Sequence, residues 1–180
     1  VTYLCHKCTD KGIYDPDDSK YSAIKNYPTP TDADSAKRFV AFCNYYRRFI
    51  KNFSDYSRHL TRLSKKGIPF EWTKDNAFNH LKTALISPTL LQYPDFGKQF
   101  CITTDASKHA CGAVLTQEYD GKHLPVAYAS KSFTRGESNK STIEQELTAI
   151  HWAITHFRPT YMENIFSSEL TTDHSLIYFL

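Results

Sequence analysis

The chain has 180 residues, 41% hydrophobic and 23% charged, an ordinary balance for one globular domain or two small ones. That balance excludes wholesale disorder, and no apolar run approaches the roughly 18–20 residues a membrane span needs. No charged-then-apolar leader opens the chain either, so the sequence reads as soluble and intracellular, not secreted. The net charge of +3 is small, but it is unevenly placed. Residues 34–66 hold nine Lys and Arg against Asp34 and Asp55, an asymmetry that points to a polyanionic partner.

The first 33 residues contain a short β-prone start, Val1 to Leu4, and are then broken by Pro16, Pro28 and Pro30, so an irregular connection is expected. Cys5 and Cys8 have the spacing of half a zinc site, but no second pair follows. With Cys43, Cys101 and Cys111 they make an odd, scattered set, which reads as free thiols.

Over residues 34–66, Phe39, Phe42, Cys43, Tyr46, Phe49, Ile50 and Phe53 recur at helical spacing as one apolar stripe. Asp32 or Asp34 can cap its start, and Leu60 and Leu63 mark a second short helix before Gly67. Lys37, Arg38, Arg47, Arg48, Lys51, Arg58 and Arg62 flank the stripe, interleaved with Tyr45, Tyr46 and Tyr56. A packed helix with solvated cations would explain the charge alone. The density of Arg with tyrosines suits a nucleic-acid backbone better.

Residues 68–95 predict a helix from Lys74 to Ile86 between proline-bounded connectors. From Phe96 the pattern changes to strands over Lys98–Thr104, Ala110–Glu118 and Leu124–Ser130, with Asp120-Gly121 as a hairpin turn between the last two. A helix over Ser141–Phe157 and a fourth strand over Ile165–Thr172 complete a mixed α/β sheet.

Three acids stand out on this scaffold. Glu144 fits a capping box with Ser141 and has a structural role. Glu146 faces another way, in line with Ile150, Ala153 and Phe157, where the helix meets the sheet. Asp105 ends the first strand and Asp173 ends the fourth. If those strands are parallel neighbours, the three acids converge at one sheet edge. Singly, each is better explained as a turn former or a helix-dipole partner. Together they repel unless a cation neutralises them. Hard divalent ions suit oxygen ligands: Mg2+ first, with Mn2+ able to serve. Two such ions about 4 Å apart can activate a water and stabilise a leaving oxygen in phosphodiester cleavage.

The stretches TTDAS, IEQELTAI and TTDH resemble the three acid-bearing motifs of the ribonuclease H domain of reverse transcriptases. FVAFCNYYRRFIKNF, PFEWT and LLQYPDF resemble the thumb and connection of gypsy-type LTR retrotransposon Pol polyproteins, and VTYLCHKCTDKGI resembles the end of the polymerase palm. The resemblance implies an α+β architecture: a palm and primer-grip remnant with linker over 1–33, a helical thumb and connection over 34–95, and a ribonuclease H-like mixed sheet over 96–180, incomplete at its C-terminus. It implies an RNA-directed DNA polymerase fused to a nuclease that degrades the RNA of an RNA–DNA hybrid. Asp105, Glu146 and Asp173 would be the catalytic metal-binding acids, and Lys37, Arg38, Arg47, Arg48, Lys51, Arg58 and Arg62 would hold the hybrid. The partners would be the hybrid and the rest of the Pol polyprotein, without a membrane, in the cytoplasm within a retroelement particle.

Departures from the family pattern set a second expectation. No Tyr-x-Asp-Asp polymerase motif occurs, the family's fourth nuclease acid lies beyond Leu180, and Cys5 stands where the family has Gly. A decayed, catalytically inactive nucleic-acid-binding remnant is therefore the alternative, with little hydrolysis expected from residues 1–180 alone. An integrase or transposase core also carries acids on a similar sheet, but it has no place for the thumb-like segment.

Overall fold

A computed structural model describes residues 2–3, 6–9, 12–15, 22, 24–65, 69–70, 72, 75–86, 89–161 and 176–179. Near the N-terminus, Thr2–Tyr3 (β1), His6–Thr9 (β2) and Gly12–Asp15 (β3) form an antiparallel sheet with Thr89–Leu91 (β4), Ile13 pairing with Leu91. Strand pairing thus replaces much of the irregular connection expected after Leu4. Strands this short have too few alternating positions to show a period, and the partner of β3 comes from far along the chain.

Asp32 caps the first helix, Ala33–Tyr45 (α1): its Oδ1 accepts the Ser35 N–H at 2.7 Å, and the Ser35 hydroxyl oxygen accepts the Asp32 N–H at 3.1 Å. The apolar stripe does not continue as one helix. A 3₁₀ turn at Arg47–Phe49 and a left-handed Asn52 (φ 53°) intervene before Phe53–Leu63 (α2). This break turns the chain yet keeps Phe39, Cys43, Tyr46, Ile50 and Phe53 in one core with Leu60 of α2. Phe78, Leu81 and Leu85 of Asp75–Ile86 (α3) close that core, with the Phe39 and Phe78 rings 4.7 Å apart and Tyr56 stacked on His80 at 3.5 Å.

The second sheet has the order β7-β6-β5-β8, built from Phe100–Ala106 (β5), Ala110–Tyr119 (β6), Lys122–Ser132 (β7) and Leu176–Phe179 (β8). Asp120 and Gly121, at φ 51° and 72°, make the tight turn of the β6–β7 hairpin. The strand expected over 165–172 lies outside the described residues. The described neighbour on that side of β5 is β8, which runs antiparallel with Ile102 opposite Ile177, where a parallel strand was expected. Fourteen residues separate Tyr161 from Leu176.

A short helix, Arg135–Ser138 (α4), leads into Thr142–Tyr161 (α5). One sheet face, carrying Phe100, Ile102, Ala113, Leu115 and Ala129, packs against Ala153, Phe157 and Tyr161 of α5. The start of α2 sits on the opposite face, so the sheet lies between the long helix and the helical segment. No helix among the described residues is long and apolar enough to cross a membrane.

The start of α4 is held by one carboxylate. Glu137 accepts the Lys131 ammonium at 2.7 Å and the Thr134 N–H at 2.7 Å, which together hold its pKa down to about 2. Its folded pKa lies below the ordinary value of 4.5, so its stabilisation is full above that pH and is lost as pH falls toward 2. Glu137→Gln is expected to cost on the order of 1 kcal/mol at pH 7. Urea melts should show the difference from the parent vanishing as pH falls through that window.

Candidate active site

Alternation along β5 places Phe100, Ile102 and Thr104 on the α5 face, and Cys101, Thr103 and Asp105 on the face that carries α2. Asp105 is therefore an exposed acid near the end of the strand, inside it rather than just beyond it as the sequence predicted. Its cross-strand partner is Gly112, whose own partner on β7 is Ser130. Asp105, Gly112 and Ser130 thus form one row, and the chain entering α2 lies over it.

Three residues within four positions, Asn52, Ser54 and Asp55, make contact with the row and the turn beside it. The Asn52 side-chain amide donates to Asp105 Oδ2 at 3.3 Å. The Ser54 N–H donates to Ser130 Oγ at 2.9 Å in a buried position. The Ser107 hydroxyl, in the turn after β5, donates to Asp55 Oδ1 at 2.8 Å. Gly112 makes the approach possible: a Cβ there would collide with the Asn52 amide oxygen.

Glu146 reaches the same end of β5 from α5. The capping box expected at the helix start is present, with Glu144 Oε2 accepting the Ser141 N–H at 2.9 Å and the Ser141 hydroxyl at 2.7 Å. The buried stripe, however, is led by Gln145 and runs through Ala149, Ala153, Phe157 and Tyr161, with Glu146 beside it rather than at its head. A buried amide can be satisfied there, since Gln145 donates to the carbonyls of Glu137 and Ser138 at 3.4 and 3.2 Å. A carboxylate cannot, and it sits where the sheet opens.

Burial raises the Glu146 pKa, and the charge of Asp105 raises it further, while a hydrogen bond from the Ala106 N–H opposes both. Glu146 Oε2 is buried without a hydrogen-bond partner among the described residues. Two repelling carboxylates, one with an orphaned oxygen, form a donor set suited to a hard divalent cation. Asp105 and Glu146 are brought together. Asp173 lies outside the described residues, and among the described residues no group of three His, Cys, Asp or Glu is positioned to hold a metal.

The basic residues fall into two environments. Lys37 and Arg38 on α1, Arg47 and Arg48 on the 3₁₀ turn, Lys51 and Arg62 are exposed, with the Arg48 guanidinium 5.9 Å from the Phe49 ring centre. Arg58 is half-buried, and its Nε has no hydrogen-bond partner among the described residues. Between α1 and α2 lies a groove of about 410 Å³ lined by Lys37, Asn44, Thr61, Ser64 and Lys65.

Sequence reasoning missed Asn52, Ser54, Asp55, Ser107 and Gly112 as neighbours of the acids. An Asn between two helical stretches is a recognisable left-handed break, but nothing local says which strand it covers.

A sheet between the long helix and the helical segment, with two acids at one end of β5, is an arrangement compatible with a ribonuclease H-like fold. The chain belongs to that family, since its residues 70–167 match the RNase H-like domain found in reverse transcriptase. It is 70% identical to the retrovirus-related Pol polyprotein from transposon 412 of Drosophila melanogaster, over all of this chain and 14% of that polyprotein. It is 36% identical to the Pol polyprotein from transposon opus of the same species, over 99% of this chain and 19% of that one. The chain therefore spans less than a fifth of these relatives. Among solved structures, the foamy viral protease-reverse transcriptase dRH in complex with double-stranded DNA matches 96% of this chain and 31% of its own at a TM-score of 0.77 and 22% identity. The foamy viral protease-reverse transcriptase in complex with RNA/DNA hybrid matches at a TM-score of 0.73, also over 96% of this chain, 24% of its own and 22% identity. The fold is shared, and the expected relation to a retrotransposon Pol polyprotein holds along the whole chain.

An ionised Glu146 weakens the metal-free fold. Its folded pKa lies above 4.5, so stability falls as pH rises through the window above that value. Glu146→Gln should remove that fall and stabilise the metal-free chain at pH 7 by about 1 kcal/mol, read from urea melts in chelator.

Proposed function

We propose that this chain is the thumb, connection and nuclease segment of a retroelement Pol polyprotein, one that binds an RNA–DNA hybrid and hydrolyses its RNA strand. The buried, partnerless Oε2 of Glu146 beside Asp105 carries this reading. A carboxylate oxygen kept from both water and hydrogen-bond donors is unfavourable unless a cation completes it. Asp105, Glu146 and Asp173 are the proposed metal ligands and catalytic acids. When bound, Mg2+ or Mn2+, as a pair of ions in an intact site, would neutralise these carboxylates, acidify an attacking water and stabilise the departing oxygen.

The chain itself does the positioning. The Ala106 N–H holds the Glu146 carboxylate against the end of β5. The strand keeps Asp105 in a fixed row. The exposed cations Lys37, Arg38, Arg47, Arg48, Lys51 and Arg62, with Arg58 behind them, would hold phosphates without reading sequence. Distinguishing hybrid from duplex DNA would rest on the RNA 2′-OH and groove shape. The proposed division remains palm remnant and linker over 1–33, thumb and connection over 34–95, and nuclease over 96–180. The proposed location is the cytoplasm, within a retroelement particle.

The test uses the Pol polyprotein that carries this segment and a hybrid with labelled RNA. Asp105→Asn should leave hybrid affinity unchanged and lower cleavage by roughly a hundredfold or more. Undiminished cleavage in that variant would overturn the reading, and binding without cleavage in the parent would favour the inactive remnant. For the interface, Lys37→Gln and Arg62→Gln should each weaken binding to all sequences alike and flatten the log–log salt slope by about 1.

A further inference from the structure

We propose that Asn52 is a positioning residue for Asp105, so that the helical segment supplies part of the nuclease site. This rests on the reading of Asp105 as a metal-binding acid and deepens it.

Asn at the position before a helix ordinarily accepts an N–H from that helix's first turn, which is worth about 1 kcal/mol. Asn52 occupies that position before α2, and its side chain caps nothing there. Its backbone is left-handed at φ 53°, a conformation that Asn tolerates better than most residues. That backbone turns the side chain away from its own helix and onto the sheet, where the amide nitrogen meets Asp105 Oδ2 at 3.3 Å. The amide orientation is fixed chemically, because the reverse would set its oxygen against a carboxylate oxygen.

The amide oxygen lies over Gly112, in space that any other residue's Cβ would fill. Two and three residues on, Ser54 is tied to Ser130 and Asp55 to Ser107, which keeps residue 52 close to the strand end. With Oδ2 held, Asp105 Oδ1 has no hydrogen-bond partner among the described residues, and Glu146 Oε2 has none either. The amide thus leaves Asp105 with one oxygen that has no protein partner among the described residues, on the strand end that Glu146 also reaches. Groups that orient metal-ligating carboxylates in this way commonly change metal affinity by tenfold or more when removed.

The test variant is Asn52→Gly, which keeps the left-handed backbone and deletes the amide. In the 180-residue chain, calorimetric Mn2+ affinity should fall roughly tenfold while unfolding stays cooperative. In the Pol polyprotein, kcat for hybrid cleavage should fall with KM unchanged. If Asn52→Gly binds Mn2+ as tightly as the parent while Asp105→Asn does not, the positioning role is wrong and the site reading stands. If Asp105→Asn also binds like the parent, the site reading fails and this inference fails with it. Should Asn52→Gly not fold, the side-chain amide resonances of Asn52 in the parent chain decide. They should shift in Asp105→Asn and on adding Mg2+, and unmoved resonances would overturn the proposal.

Discussion

A missing methyl-sized atom governs how this molecule is assembled. Because residue 112 has no Cβ, the chain before α2 can lie directly on the central strands. Asn52, Ser54 and Asp55 then bond to Asp105, Ser130 and Ser107, which come from two different strands and the turn after β5. Two of these bonds are between side chains, and the third buries a backbone donor that would otherwise be unsatisfied at a helix start. α2 consequently has two packed sides. Phe53 and Leu60 enter the helical core, while Ser54 and Ser57 are buried toward the sheet. The basic segment and the acid-bearing sheet are joined at the place where chemistry is proposed.

The same economy appears on the other side of the sheet. Three successive side chains at the start of α5 have three separate tasks. Glu144 closes the capping box with Ser141, Gln145 is buried and bonded to the carbonyls before the helix, and Glu146 turns to the end of β5. Only the last is left with an unsatisfied oxygen. Gln117, by contrast, is buried with its amide fully bonded, donating to the carbonyls of Asp95 and Lys98 and accepting the Asp95 N–H. Carboxylates kept close at the expense of stability are the expected mark of a cation site.

Kinship with Pol polyproteins gives this arrangement its setting. The relatives are five to seven times longer than the matching stretch. An insertion between residues 52 and 112 that parted Asn52 from Gly112 would separate basic surface from acids even if each part still folded.

Much was legible in the residues themselves. The β6–β7 hairpin was marked by Asp120-Gly121 because only such residues accept positive φ in a two-residue turn. The capping box at Ser141 and the helical core residues were marked by short-range patterns, whereas Glu146, expected at the head of an apolar stripe, lies beside a stripe led by Gln145. What periodicity cannot encode is the partner across space. The pairing of Gly12–Asp15 with Thr89–Leu91, the antiparallel sense of Leu176–Phe179, and Asn52 resting on Gly112 all join residues distant in sequence. Such contacts depend on the shape left between packed layers, and that shape exists only once the whole chain has folded.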